Sequence, residues 1–173
     1  MAQDWGGTPG LNPYAADWSG AYAGLHSTTG DADSHYRASS YEIGSFKGAG
    51  VQVGYMQDFG YLVAGAEIAY SALRLADDGV DSDSNYLQLK ARLGRDTGAF
   101  MPYVTAGVGR MTEEDWRENA VIFGLGVAVT AQERLILGVE YTRNHFADVR
   151  DGEIGSGLDL DLDMIQLSAA MRF

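Results

Sequence analysis

Four ionisable residues of this 173-residue chain, Glu67, Lys90, Arg92 and Glu140, sit inside apolar, glycine-rich stretches rather than among other polar residues. Two carboxylates and two cations in such surroundings favour mutual pairing, because an unpaired charge away from water costs several kcal/mol. Paired, they either fix a fold or, by exchanging partners, open a narrow polar path. Other acidic residues gather in clusters: Asp77, Asp78, Asp81 and Asp83; then Glu113, Glu114, Asp115 and Glu118; then Asp148, Asp151, Glu153, Asp159, Asp161 and Asp163. Such clusters make a solvated, repulsive surface. Their oxygens also suit Ca²⁺ or Mg²⁺, with Asp77, Asp78, Asp81 and Asp83 as weak candidates. ADDGVDSDSN lacks the D-x-D-x-D-G order and closing Glu of an EF-hand, so no metal is assigned. A hydrolase needs a serine and a histidine oriented by a third group. The histidines are His26, His35 and His145, and His26 is followed by Ser27. Adjacent residues on a strand point to opposite faces, which makes His26 and Ser27 a poor dyad. There is no phosphate-binding loop, dinucleotide fingerprint, zinc spacing or GxSxG elbow. Neither a catalytic set nor a cofactor is expected.

The elements that hold these residues are strands. Hydrophobic residues make up 46% and charged residues 21%, yet no apolar run reaches the roughly 18 residues of a membrane helix. Glycine is abundant at 23 and proline scarce at 3, a balance suited to many strands joined by turns. The formal net charge is −12, so nucleic acid is not an expected partner. Cysteine is absent, which excludes disulfides and thiolate metal sites. No signal peptide is visible at Met1-Ala2-Gln3-Asp4, as expected of mature numbering in a secreted protein.

Residues 1–17 hold two of the three prolines and read as an irregular tail. From Trp18 to Phe173 one theme recurs eight times, alternation over about ten residues and then a break. The segments are Trp18–Thr29, Lys47–Gln57, Tyr61–Leu75, Tyr86–Arg95, Pro102–Arg110, Ala120–Thr130, Arg134–His145 and the one ending at Phe173. Between them, short turns at 57–60, 96–101 and 131–133 alternate with longer connections at 30–46, 76–85, 111–119 and 147–163. That is the signature of an eight-stranded antiparallel up-and-down barrel with both termini on the short-turn rim.

Alternation alone does not say which face looks inward. A soluble lipocalin-like barrel would turn the aliphatic face in around a ligand. Here the polar face is also the glycine face, with Gly24, Gly50, Gly54, Gly65, Gly94, Gly107, Gly109, Gly124, Gly126 and Gly138 sharing its parity. Small residues suit a narrow interior and weaken a solvent face without gain. Trp18, Tyr55, Tyr70, Tyr86, Tyr103 (on the inward parity), Tyr141 and Phe173 gather at strand ends, as interfacial girdles do. The reading is therefore transmembrane, with aliphatics towards lipid. Leu158, Leu160 and Leu162 run in the opposite phase to the last strand. A β-bulge near Asp163–Ile165 is expected to absorb that conflict, with the wall projecting above the bilayer.

The stretches WSGAYAGLHS, GVQVGYMQDFGYLVAGAEIAYS, LQLKARLGRDTGAFMPYVTAGVG, FGLGVAVTAQERLILGVEYTR and MIQLSAAMRF, in that order, resemble the small OmpA-like and opacity-protein (porin-family) barrels of Gram-negative outer membranes. The resemblance spans about Trp18 to Phe173. It implies an eight-stranded outer-membrane fold, extracellular loops, periplasmic termini and, usually, no catalysis; no peptidoglycan-binding domain is expected after Phe173. Ile165, Leu167, Ala169, Met171 and Phe173 resemble the carboxy-terminal signal read by the barrel-assembly machinery. Arg74, Arg110, Arg143 and Arg150, near outer strand ends, are candidates for contact with lipopolysaccharide phosphates. The function expected is a structural or surface barrel with a polar, plugged interior, contacting lipopolysaccharide and external partners through acidic loops. The alternatives are a low-conductance porin gated by interior ion pairs and a lipid A-modifying enzyme.

Overall fold

The computed structural model describes residues 16–36, 39–76, 83–113, 116–131, 134–151 and 154–173; within these, the side chains of 32–44, 75–76, 83, 113, 116–117, 147–151 and 154–160 stand outside the description. Eight strands form one closed antiparallel barrel in chain order, with β8 returning to β1. They are β1 (Gly20–Tyr36), β2 (Ser39–Asp58), β3 (Leu62–Ala76), β4 (Asp83–Arg95), β5 (Phe100–Glu113), β6 (Trp116–Ala131), β7 (Leu135–Asp151) and β8 (Ile154–Arg172). Stepping from Gly24 to Gln52, Ala69, Gln88, Gly109, Ala120, Phe146 and Leu160 returns to β1 at Ser34. A ten-residue stagger over eight strands tilts the strands by roughly 40° and leaves an interior that side chains can fill.

The glycine parity lies inside, and its geometry shows why. A Cβ at Gly54 would collide with the ring of Tyr22, and one at Gly126 with the ring of Tyr103. These are cross-strand pairs, Tyr22 with Gly54 and Tyr103 with Gly126. Each ring lies across the bare backbone of its neighbour, so a narrow barrel accommodates tyrosines only where the next strand supplies glycine.

The aliphatic parity lies outside. Leu25, Val51, Val53, Ile68, Leu87, Leu89, Leu93, Val104, Val108, Leu125, Val139 and Leu167 are all exposed. In water each would forgo roughly 1.5–3 kcal/mol of burial. A continuous apolar girdle of that size is stable only in hydrocarbon. The lipocalin-like arrangement is thereby overturned. Tyr55, Tyr70, Tyr141 and Phe173 are exposed on the outer wall, joined by Phe59, Tyr61 and Phe100. Trp18 and Tyr86, expected in the girdles, are instead fully buried inside. Tyr86 has inward parity, and Trp18 precedes the first strand and folds back under it.

The strands also run further than the alternation implied. The stretches expected as long connections are largely strand, because β1 extends to Tyr36, β2 begins at Ser39, β7 reaches Asp151 and β8 begins at Ile154. At 13 to 20 residues, all exceed the 9–11 that cross a bilayer. No bulge occurs at Asp163–Ile165: β8 pairs with β1 in unbroken register there, and its shifts against β7 fall between Phe146 and Asp151. Leu162 therefore points in and is buried, while Asp161 and Asp163 share the outer face with Ile165 and Leu167. The apparent slip in phase is a change of surroundings. Beyond the lipid band the wall reverts to the logic of a soluble barrel, apolar in and polar out.

Candidate functional site

The interior is built in three layers. At the periplasmic end Trp18, Tyr22, Met56, Val63, Met101, Tyr103, Ala128, Ile136 and Ala170 pack together. At the extracellular end Phe46, Leu73, Tyr86, Met111, Ala120, Ile122, Phe146, Leu162 and Met164 do the same. Between them lies the polar layer, with Glu67, Lys90 and Glu140 each at most 2% exposed.

Register assembles that layer. Glu67 on β3 pairs directly with Lys90 on β4, and Arg92 stands two residues along the same inward face. Glu140 on β7 comes across the lumen. Lys90 Nζ lies 3.0 Å from Glu67 Oε1 and also bonds Glu140 Oε1. Arg92 Nη2 donates to Glu67 Oε2 at 3.1 Å and to Glu140 Oε2 at 3.0 Å. Each cation thus bridges both carboxylates, and the quartet carries no net charge. Tyr22 and Tyr103, absent from the sequence reading of this cluster, complete it. The Tyr22 hydroxyl donates to Glu67 Oε2 at 2.8 Å, and the Arg92 guanidinium lies 4.3 Å from the centre of the Tyr103 ring. Their signal was parity, since both occupy inward positions opposite glycine.

Other polar pairs line the same layer. Gln166 on β8 donates to Gln52 on β2 at 3.1 Å, bridging over the inner face of β1. His26 Nε2 and Ser71 Oγ are 2.8 Å apart and buried. Ser27, its neighbour in sequence, is exposed on the outer wall. The rejection of His26 and Ser27 as a dyad agrees with these opposite faces; the partner of His26 lies two strands away, and only register could reveal it. This buried pair faces the ionic layer and not the membrane, where a lipid substrate would lie.

The periplasmic layer is latched by the segment before β1. Trp18 Nε1 donates to Gly98 O at 3.2 Å, in the β4–β5 turn, and Trp18 N donates to Asp58 Oδ2 at 3.2 Å, at the end of β2. Gly98 adopts a φ of 98°, a left-handed conformation that aims this turn at the indole and favours glycine.

On the projecting outer wall, Arg143 donates to both oxygens of Asp163 at 2.8 Å, and Tyr141 donates to Asp163 Oδ1 at 2.7 Å. The Arg143 hydrogen bonds hold the Asp163 carboxyl below the usual carboxylate range. Arg110 donates to Asn119 at 3.1 Å. Arg74 is exposed and stands directly opposite Lys47, a cation absent from the sequence candidates. Arg150, Asp77, Asp78, Asp81 and Asp83 fall outside the described side chains. Among the described residues no three His, Asp or Glu side chains are placed to hold a metal ion. Ile165, Leu167, Ala169, Met171 and Phe173 line the outer wall of β8.

Comparison with known proteins agrees with this architecture. No curated protein matches the sequence. Among solved structures, Neisserial surface protein A aligns with a TM-score of 0.58 at 13% identity, over 89% of this chain and 99% of that one. Ail, the attachment invasion locus protein of Yersinia pestis, solved with the heparin analogue sucrose octasulfate, aligns with a TM-score of 0.56 at 12% identity, over 89% and 99%. At such identities the likeness is one of fold. The model of the outer membrane protein beta-barrel domain matches residues 7–173. With its termini on the periplasmic rim and its long strand pairs towards the exterior, this chain belongs to the outer membrane protein beta-barrel family and resides in the bacterial outer membrane.

Proposed function

We propose that this protein is a closed, non-conducting surface barrel whose interior ions serve as a structural plug, and whose projecting wall meets lipopolysaccharide and external partners. The observation that carries this reading is the layering. An ion quartet with every charge paired lies between two packed apolar layers, so exchange of ion-pair partners alone would not connect the two aqueous sides. A low-conductance porin would require both apolar layers to part as well. Catalysis is disfavoured because the buried His26–Ser71 pair is walled off from lipid. The outer-wall cations Arg74, Lys47 and Arg110 suit lipopolysaccharide phosphates. Arg143 is a weaker candidate, since its guanidinium is engaged by Asp163. The carboxy-terminal run from Ile165 to Phe173 serves recognition by the assembly machinery.

Planar-bilayer recording tests the plug. The wild-type protein, reconstituted in about 1 M KCl, where charges interact only over a few ångströms, is expected to show no steady conductance. Glu67→Ala should also stay silent, since both apolar layers remain. Reproducible single-channel steps from the wild type would replace the plug with the porin.

A further inference from the structure

The outer wall carries a groove that none of the chemistry above uses. It crosses β3 to β6, encloses about 530 Å³, and is lined by Ala64, Ala91, Ala106, Leu93, Val104 and Phe123 among its outward residues. The register explains its form. Ala64 pairs with Leu93, Leu93 with Val104, Ala91 with Ala106, and Ala106 with Phe123. Three alanines make a low floor and the larger residues make walls, a trough suited to an alkyl chain.

Its periplasmic end is marked by a cation. Arg95 lies two residues beyond Leu93 on β4, on the same outward face, and is exposed. Its guanidinium lies 4.7 Å from the centre of the Tyr61 ring. Among the described residues no carboxylate forms an ion pair with it. Tyr61, Phe59 and Phe100 are exposed around it and mark the aqueous interface, the level at which lipid headgroups lie. An alkyl trough that ends at an arginine held by a ring matches an acyl chain joined to a phosphate. A second trough of about 500 Å³, which includes Leu25, Ala49, Leu167 and Ala169 in its lining, offers the contrast. The outward positions below it are Ala21, Ala23, Val53, Tyr55, Met171 and Phe173, with no cation.

We propose that the β3–β6 groove binds a glycerophospholipid of the periplasmic leaflet, one acyl chain lying over Ala64, Ala91 and Ala106 and the phosphate meeting Arg95. The lipid is a bound partner with longer residence than the surrounding coat, because the charge and the shaped trough act on one molecule.

The test is native mass spectrometry of the full chain, folded in detergent micelles and titrated with dioleoyl phosphatidylglycerol. One lipid per barrel should be retained. Arg95→Gln and Ala91→Leu should each weaken retention by about tenfold or more, whereas Ala49→Leu, in the second trough, should leave it unchanged. Altered gel mobility on boiling confirms that each variant is folded. The proposal is overturned by undiminished retention in Arg95→Gln, by equal losses in all three variants, as from a non-specific coat, or by a complex of two chains instead of chain plus lipid. Displacement of the phosphatidylglycerol by equimolar lipid A would place the ligand in the other leaflet and overturn it equally.

Discussion

Lys90 shows how little freedom a single interior residue has in this barrel. Its ammonium is fully buried and touches both Glu67 and Glu140. Replacing it with methionine preserves volume and leaves two carboxylates to share Arg92. Breaking a buried ion pair in this one-sided way costs about 3–5 kcal/mol. Lys90→Met should therefore unfold at a markedly lower urea concentration, read from the fraction of protein that keeps its folded gel mobility. A double change, Lys90→Met with Glu67→Gln, restores charge balance between Arg92 and Glu140 and should recover part of the loss. Equal instability of the single and double variants would show that the quartet does not act as a coupled unit.

Strand β8 illustrates why alternation must be read together with its surroundings. Its inward positions run Leu162, Met164, Gln166, and its outward ones run Asp161, Asp163, Ile165, Leu167. Read on the assumption of one lipid-facing parity, the leucines of 158–162 look a residue out of phase. The unbroken pairing with β1 shows no slip at Asp163–Ile165. Leu162 keeps the inward phase of Met164 while Asp161 and Asp163 keep the outward one, so the polarity of each face is exchanged above the membrane. This makes a clear distinction between two substitutions. Leu162→Asp places a carboxylate in the extracellular apolar layer and should cost roughly 3 kcal/mol or more. Asp163→Leu removes only the surface contacts with Arg143 and Tyr141 and should cost far less, as an exposed pair does. Urea unfolding of the two variants distinguishes the regular strand from a bulged one, in which the order of severity would reverse.

Seen whole, the molecule is a wall whose two faces answer to three media. Against hydrocarbon it presents aliphatics, against the lumen glycine and paired charge, and beyond the lipid an ordinary polar surface over an apolar core. The absence of native cysteine allows single spin labels to map this directly. Labels at Leu167 and Ile165 should be more accessible to oxygen than to a water-soluble nickel complex. Labels at Asp163 and Asp161 should show the opposite, with the crossover between Ile165 and Asp163. Oxygen-dominated accessibility through Asp161 would mean that the wall does not project.

Strand number, antiparallel order, the inward glycine parity and the lipid-facing aliphatic parity were legible from the sequence, because they are local consequences of a period of two and of which residues tolerate crowding. The quartet's members were legible for the same reason, as charges of one parity among small residues. The bridging of both carboxylates by each cation, the His26–Ser71 pair, the Trp18 latch and the exchange of polarity along β8 were decided only by the closed barrel. Each depends on the ten-residue stagger around the wall. That stagger sets which distant residues share a height, and no single strand records it.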